Sequence, residues 1–340
     1  MSDEPRRIGR RALFNRLLPR APEAGHWIKV HRTAMACRFE VTLPSEDSRH
    51  VDEARAALDE VDAIERQLTW FRTTSELQRV NREAGAGTVA VSPGLFALLS
   101  LCRELSLATG GAFDPASTAL SRCWGFLERR PRLPPAAEIE KARAASGMDK
   151  VELDGLARGV RFTSPGVELS FGAVGKGWAL DRVAAGLRAK GVFRALLTAG
   201  SSSHRGWGGE AWELALEPGG EELGLLRLRD AALGTSGAGE QGFEAGGRRY
   251  GHVLDPRTGW PAEGVRSASV VAAEAVVADA LSTAFLVGGP GLAAPFCASR
   301  PGTMALLVLD GAPREIRVFG RREGVTVDPR SGVTIREEAG

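Results

Sequence analysis

Residues 276–286 form an almost entirely apolar segment that nevertheless contains Asp279 and Thr283. If the segment is helical, these two residues are four apart and lie on one face, one turn above the other. A buried carboxylate is costly unless a positive charge meets it, and the segment contains no Lys or Arg. Two interpretations stay open. Either a distant arginine pairs with Asp279 while Thr283 bonds a backbone carbonyl, or the two side chains are hard oxygen donors for magnesium.

A second candidate is the glycine-rich sequence Gly172-Ala-Val-Gly-Lys-Gly177, between a predicted strand at 167–171 and a predicted helix at 178–190. It matches neither the Walker A nor the GxGxxG pattern. Glycines let backbone N–H groups approach a ligand, a helix N-terminus carries partial positive charge, and Lys176 adds a full charge. The sequence therefore suits a pyrophosphate, although it could also be only a tight turn.

The third candidate is His252, on a predicted strand downstream of the glycine-rich stretch 234–242. An imidazole with its ordinary pKa of about 6.5 can accept the proton of a substrate hydroxyl, although a lone histidine is more often structural. The pentapeptide Asp255-Pro-Arg-Thr-Gly259 recurs as Asp328-Pro-Arg-Ser-Gly332 with no histidine before the second copy. The pentapeptide alone predicts only a turn, so a functional interpretation depends on His252.

Hydrophobic periodicity predicts the elements that would position these candidates. Alternation over residues 26–43 predicts an opening strand pair. Apolar residues at spacings of three and four predict a helix from Val51 to Leu68 with Ser48 as N-cap, and Ser92-Pro93 begins another that stops at Gly110-Gly111. A last helix is predicted at about 275–287. The absence of a regular βαβ cadence predicts an α+β fold with mixed, largely antiparallel sheets packed with helices.

Composition sets broad limits on organisation and partners. We expect a disordered tail at 1–25 and one domain at 26–340, with a charged, proline-rich surface excursion at about 128–147. The 44 Lys and Arg against 42 Asp and Glu give a charge of +2, which argues against nucleic acid as a partner. The cysteines lack metal-site spacing, so buried free thiols are predicted rather than zinc or iron–sulfur ligands. They are Cys37, Cys102, Cys123 and Cys297.

The first twenty residues are basic, as in an export signal, but the apolar run that such a signal needs does not follow. No stretch of about 18 apolar residues predicts a membrane span. The cytoplasm is therefore slightly favoured, while a periplasmic or membrane-associated location stays open.

Taken in order, these segments resemble the ApbE family of FAD:protein FMN transferases from about Met35 to Gly288. The most specific blocks are His252-x-x-Asp-Pro-Arg-Thr-Gly259 and Ala278-Asp-Ala-Leu-Ser-Thr283. Gly110-Gly-Ala-Phe-Asp-Pro115 also matches closely. Further matching segments lie at 35–41 and 69–81, at Gly172-Ala173 with Lys176-Gly177 and Asp181, and at Thr235-Ser-Gly237.

The resemblance implies an ApbE-like flavin transferase fold and a magnesium-dependent enzyme. Such an enzyme moves the FMN part of FAD onto a Thr or Ser hydroxyl of an acceptor flavoprotein subunit or domain and releases AMP. The resemblance implies that His252 accepts the hydroxyl proton and that the Ala173 carbonyl, Asp279 and Thr283 hold Mg²⁺. The FAD contacts that it implies are Met35, Phe71, Ala112, Phe113, Asp114, Ser170, Lys176 and Leu254.

Two positions depart from the family pattern. Ser170-Phe-Gly172 stands where the family usually has Asp-Leu-Gly, and Thr198-Ala-Gly-Ser-Ser-Ser203 stands where it usually has Asn-x-Gly-Gly-Asp. Hydrogen bonds from Ser170 and Ser202 could replace the missing carboxylates, with weaker affinity for the adenosine part or the metal. Two alternatives stay open: hydrolysis of FAD to FMN and AMP with water as the acceptor, and a FAD-binding protein without catalysis, which the missing carboxylates favour.

Overall fold

A computed structural model describes residues 26–217, 220–239 and 241–338. The predicted disordered tail, residues 1–25, lies outside the described residues. The helices, numbered in chain order, are α1 Val51–Leu68, α2 Glu76–Glu83, α3 Pro93–Ala108, α4 Thr118–Cys123, α5 Ala136–Ala144, α6 Gly175–Ala189 and α7 Ala275–Ser299.

The strands form one nine-stranded sheet and three small sheets within the described ranges. Numbered in chain order, they are β1 Trp27–Ala34, β2 Cys37–Pro44, β3 Val89–Ala90, β4 Val151–Asp154, β5 Gly159–Phe162, β6 Ala195–Ala199, β7 Ser203–Trp207, β8 Trp212–Leu216, β9 Gly224–Leu228, β10 Ala231–Gly237, β11 Gly242–Ala245, β12 Arg248–Gly251, β13 Val265–Ala272, β14 Met304–Leu309, β15 Ala312–Phe319, β16 Val325–Pro329 and β17 Thr334–Glu338. The large sheet has the order β1-β2-β6-β7-β10-β13-β14-β15-β17. Its neighbours are antiparallel except for the parallel pair β15 and β17, which confirms the predicted α+β class.

The chain divides into two compact units. The helix-rich unit contains Arg66–Phe171 and Ala238–Glu263, and the sheet unit contains residues 26–65, Gly172–Gly237 and 264–338. The expectation that residues 26–340 form one flavin transferase domain stays a prediction.

The core of the sheet unit lies against the large sheet, where α7 packs on β10 and β13. The helix is longer than the predicted 275–287 because it continues beyond a kink at Gly289, where φ is 60° and Pro290 follows. Proline is tolerated there since it starts a new helical segment. By length and composition alone α7 would also be able to cross a membrane, but most of that segment is buried in the fold, as expected for a core helix.

One part of the core of the helix-rich unit is an aromatic cluster built around Trp124. The Trp124 ring lies 5.6 Å from that of Tyr250, and its indole N–H donates to the Gly259 carbonyl over 2.9 Å. Helix α5, from the segment predicted as a surface excursion, contributes Ile139 and Ala142 to the same cluster. The excursion therefore buries apolar side chains next to the β11–β12 hairpin that leads to His252.

Two predicted helix starts have different outcomes. Ser92 caps α3 as predicted, with its hydroxyl accepting the Leu95 N–H over 3.3 Å. Ser48 does not cap α1, because Ser45–His50 forms a 3-10 helix that runs directly into it. None of the four cysteines, all within the described residues, forms a disulfide; Cys102 and Cys297 are buried as predicted, whereas Cys37 and Cys123 are only half-buried.

The predicted strand at 167–171 is wrong, since only Glu168 makes an isolated bridge there. The side chain of Asn81 accepts the Leu169 N–H over 2.8 Å and donates to its carbonyl over 3.0 Å. The Ser170 N–H donates to the Pro115 carbonyl over 2.9 Å. A side-chain amide thus takes the backbone bonds that a strand partner would have made.

The hairpin between β1 and β2 turns through Met35 and Ala36, because Ala34 pairs with Cys37. Both turn residues have positive φ, 48° and 57°. A two-residue turn of this kind normally carries Asn or Gly, because a Cβ costs about 1–2 kcal/mol per residue in the left-handed region. The turn is therefore strained at a position where FAD contact is predicted.

We expect Ala36→Gly to stabilise the protein, because it removes a Cβ from a left-handed position. The relief exceeds the entropy cost of glycine by about 0.5–1 kcal/mol. Chemical denaturation would measure the free energy of unfolding. The matched control is Ala63→Gly on the exposed face of α1, which should destabilise by about 1 kcal/mol. Equal losses for both variants would contradict a strained turn.

Candidate functional site

The glycine-rich sequence of the sheet unit runs from a turn at residues 172–174 into the first turn of α6, which begins at Gly175, three residues before its predicted start. The first N–H groups of a helix lack partners within it. One of them, on Gly177, donates to Asp279 Oδ2 over 2.8 Å. The helix N-terminus therefore meets a carboxylate from α7.

Two glycines in this region are required by close packing. A Cβ on Gly177 would lie 2.3 Å from the Ala275 carbonyl oxygen, and a Cβ on Gly234 would lie 2.5 Å from the Ala278 carbonyl carbon. Backbone atoms cannot yield as a flexible side chain can. These glycines let α6 and β10 approach the backbone of α7 closely, at residues 275–276 and 278–279.

The carboxylate of Asp279 is 4% exposed and is met by hydrogen-bond donors. Besides the Gly177 N–H, the Ser203 hydroxyl donates to Oδ1 over 2.8 Å. Burial raises the Asp279 pKa to about 6, against the opposing effects of the Lys176 charge and these two hydrogen bonds. The cation near Asp279 is therefore Lys176. The arginine pairing, one of the two interpretations from sequence, is not seen among the described residues.

Thr283 lies one turn after Asp279 on α7 and is half-buried. Its hydroxyl lies 3.2 Å from the Ser236 hydroxyl and 3.4 Å from the Asp279 backbone carbonyl. The carbonyl contact expected under the structural interpretation therefore exists, but it is long. Ser282 makes the shorter bond to that carbonyl, over 2.9 Å. The Thr283 hydroxyl therefore lies on the same face of α7 as Asp279.

Oxygen donors from this region fit magnesium in chemical type. The described residues contain no group of three His, Cys, Asp or Glu side chains that would form a transition-metal site. Mg²⁺ instead needs only one or two carboxylates, because water and phosphate oxygens complete its shell. Asp279 uses both carboxylate oxygens for the two donors described, yet two oxygens offer about four acceptor positions. Ala173, the third implied ligand, is exposed in the turn before α6.

The turn between β6 and β7 contributes Ser202, predicted from sequence as a replacement for a missing carboxylate, and β7 contributes His204, which the sequence did not single out. The Lys176 ammonium donates to the Ser202 hydroxyl. His204 is buried, with Nε2 3.2 Å from the Ser201 carbonyl. Burial lowers the His204 pKa to about 4, with a smaller contribution from Lys176. His204 is therefore neutral at pH 7, so Lys176 carries the positive charge here. The only sequence signal for His204 was its place in the polar run that follows the apolar strand β6.

His252 of the helix-rich unit directly follows β12 instead of lying on a strand as predicted. Its Nδ1 lies 3.2 Å from the Gln241 carbonyl oxygen. A carbonyl only accepts, so Nδ1 carries the proton of the neutral imidazole and the lone pair is on Nε2. That is the tautomer that a general base requires. The Phe126 ring packs edge-on with its centroid 6.5 Å away.

The implied FAD contacts have different surroundings in their own units. Phe71 is 69% exposed with its ring edge-on to Trp70, so it offers an open aromatic face. Asp114 instead accepts the Ala116 and Met148 N–H groups over 2.8 and 2.9 Å, and its carboxylate has a structural role. Ala112, Phe113 and Leu254 are buried, Ser170 is half-buried, and Met35 lies in the strained β1–β2 turn.

This chain is similar to members of the ApbE family. The model of the ApbE family matches residues 35–308. A FAD:protein FMN transferase of Rhodobacter capsulatus is 35% identical over 260 residues, covering 73% of this chain and 50% of that protein, so this chain spans about half its length. One of Treponema pallidum is 30% identical, covering 76% of this chain and 79% of that protein.

Solved structures agree with the sequence comparison. The ApbE protein of Thermotoga maritima superimposes with a TM-score of 0.79 at 27% identity, covering 88% of this chain and 97% of that chain. The apo flavinyl transferase ApbE of Pseudomonas stutzeri gives a TM-score of 0.72 at 26% identity, covering 90% and 95%. The fold of this chain is therefore that of the ApbE flavin transferases.

Replacing Gly177 by Ala should destabilise the protein by about 1–3 kcal/mol, because the new methyl group meets the backbone of α7. The matched control is Gly186→Ala on the same helix, where a Cβ meets nothing within 4 Å. That change should stabilise by about 0.5–1 kcal/mol. Thermal unfolding of both variants measures the difference. A melting temperature for Gly177→Ala equal to or above wild type would contradict the close approach.

Proposed function

Because the chain belongs to the ApbE family, we propose that it transfers the FMN part of FAD to a Thr or Ser hydroxyl of an acceptor flavoprotein, with AMP as the leaving group. The observation that carries this proposal is the family match over residues 35–308, together with relatives named FAD:protein FMN transferase. The buried carboxylate next to Lys176 supports it.

The proposed reaction is a displacement at one phosphorus atom. The acceptor hydroxyl oxygen attacks the phosphorus of the FMN part, and a new P–O bond forms. The P–O bond to the adenylate part breaks, and AMP leaves with the bonding electrons. The hydroxyl proton goes to Nε2 of His252, which the Nδ1 contact with the Gln241 carbonyl keeps in the receptive tautomer.

Positioning and charge neutralisation account for most of the rate in phosphoryl transfer. We assign the Ala173 carbonyl, Asp279 and Thr283 as the protein ligands of Mg²⁺, which supplies neutralisation of the pyrophosphate charge when bound. Lys176 adds a fixed positive charge beside Asp279. Gly177 and Ser203 hold the carboxylate in place by hydrogen bonds.

Contacts to FAD are proposed from the surroundings of each residue. The exposed ring of Phe71 suits stacking on a flat heterocycle. Ala112 and Phe113 are buried and can contribute backbone groups, whereas the Asp114 carboxylate is already used by backbone amides. Met35, Ser170, Lys176 and Leu254 complete the proposed set.

The direct test is incubation of the full chain with FAD, Mg²⁺ and an acceptor domain that carries a threonine, followed by intact-mass analysis of the acceptor. We expect the acceptor to gain the mass of one FMN while AMP appears in equal amount. AMP without an acceptor would indicate hydrolysis of FAD, and bound flavin without AMP would indicate a binding protein. Either result would overturn the proposed transfer.

Two variants assign the roles within that assay. Asp279→Asn keeps the shape of the side chain but loses the charge that holds Mg²⁺, so transfer should fall at least a hundredfold. Asp52→Asn, at an exposed acid of α1, is the matched control and should transfer normally. His252→Ala should bind FAD and stop transfer. Loss of FAD binding in that variant would show that His252 is structural.

A further inference from the structure

Helices α6 and α7 exchange hydrogen bonds between a carboxylate of one and the N-terminus of the other. Asp279 of α7 accepts the Gly177 N–H of α6 over 2.8 Å. In return, Asp181 of α6 accepts the Ala275 N–H over 3.0 Å and the Val276 N–H over 2.9 Å. Glu274, the residue before α7, makes no capping side-chain hydrogen bond. Asp181 therefore caps α7 from a different helix.

The spacing of these groups fixes one register between the two helices. Gly177 and Asp181 are four residues apart on α6, and Ala275 and Asp279 are four apart on α7. Each helix thus offers a donor and a carboxylate one turn apart. Sliding one helix past the other by a turn would break all three bonds. The close approach of α6 to the Ala275 carbonyl at Gly177 restricts the same movement.

Strand β7 supplies a second partner to each carboxylate. Ser203 and Arg205 are two residues apart on this strand and therefore point to the same face. The Ser203 hydroxyl donates to Asp279 over 2.8 Å, and Arg205 Nη1 donates to Asp181 over 2.8 Å. The same Nη1 also donates to the Ala273 carbonyl over 2.7 Å, just before α7. Arg205 thus ties β7 to both Asp181 and the chain entering α7.

The surroundings of Asp181 show that its carboxylate is fully engaged. The side chains of Asp181 and Arg205 are each 16% exposed. Burial raises the Asp181 pKa, and the Arg205 charge is the largest opposing effect. Oδ1 accepts from Arg205 and the Ala275 N–H, and Oδ2 accepts from the Val276 N–H. These hydrogen bonds are typical of a residue that fixes the position of a helix and not of one that binds a ligand.

We propose that Asp181, paired with Arg205, is a positioning residue that sets where the Asp279 carboxylate lies and thereby sets the affinity of the site for a divalent cation. Asp181 acts through α7 and not by contact with the ion or FAD. This inference rests on the proposed function, in which Asp279 is the carboxylate ligand. Loss of a group that orients a metal ligand typically weakens binding by about 10–100-fold.

The test is titration of the full chain with Mn²⁺, with free ion read by electron paramagnetic resonance. Asp181→Ala should weaken Mn²⁺ binding at least tenfold. Asp181→Asn keeps one oxygen for the α7 N–H groups and should recover part of that loss. The matched control is Trp207→Phe, a change on β7, the strand that also carries Arg205. It removes the hydrogen bond from the indole N–H to the Val192 carbonyl. It should lower the melting temperature while leaving Mn²⁺ affinity at the wild-type value.

The outcomes separate this inference from the function on which it rests. If Asp181→Ala binds Mn²⁺ as wild type while Asp279→Asn does not, the positioning role is overturned and the metal site stands. If Asp279→Asn also binds as wild type, both are overturned. Should Asp181→Ala fail to fold, the decision passes to Arg205→Gln, which keeps the Asp181 cap but removes the ion pair. Arg205→Gln should weaken binding several-fold, and wild-type affinity would overturn the proposal.

Discussion

The buried carboxylate of Asp279 is the constraint on which the sheet unit depends. An ionised carboxylate removed from water is unstable unless donors and a positive charge replace its hydration. Here the donors are the Gly177 N–H and the Ser203 hydroxyl, and the charge belongs to Lys176. Gly177 and Gly234 must lack side chains because α7 packs closely against α6 and β10 when its carboxylate reaches these donors.

This arrangement gives at least one N–H group of the glycine-rich sequence a different partner from the phosphate suggested by the sequence. Glycines before a helix suggest N–H groups directed at a phosphate, yet the Gly177 N–H is directed at a protein carboxylate. Lys176 places a positive charge near the Asp279 carboxylate, and in the proposed function a divalent cation would further offset the cost of ionising this buried acid. Burial raises the Asp279 pKa to about 6, so cation binding and ionisation of this acid favour one another.

The sequence predicted the pieces of the site better than their connections. The spacing of Asp279 and Thr283 on an apolar helix was sufficient to select both, and the α+β class followed from periodicity. Asp181 was noted from sequence only as part of the family resemblance, and Ser203 was not selected as a partner of Asp279. Their roles arise only when strands and helices far apart in the chain meet. The predicted strand at 167–171 was wrong for a similar reason, since the distant side chain of Asn81 takes its backbone bonds.

The central claim is that a divalent cation lies on the α7 face that carries Asp279. Anomalous diffraction from crystals of the full chain grown with Mn²⁺ measures this directly. We predict a peak about 2.1 Å from an Asp279 carboxylate oxygen, with the Thr283 hydroxyl in the same coordination shell. A peak elsewhere, or none here at a Mn²⁺ concentration that saturates the protein in solution, would contradict the account.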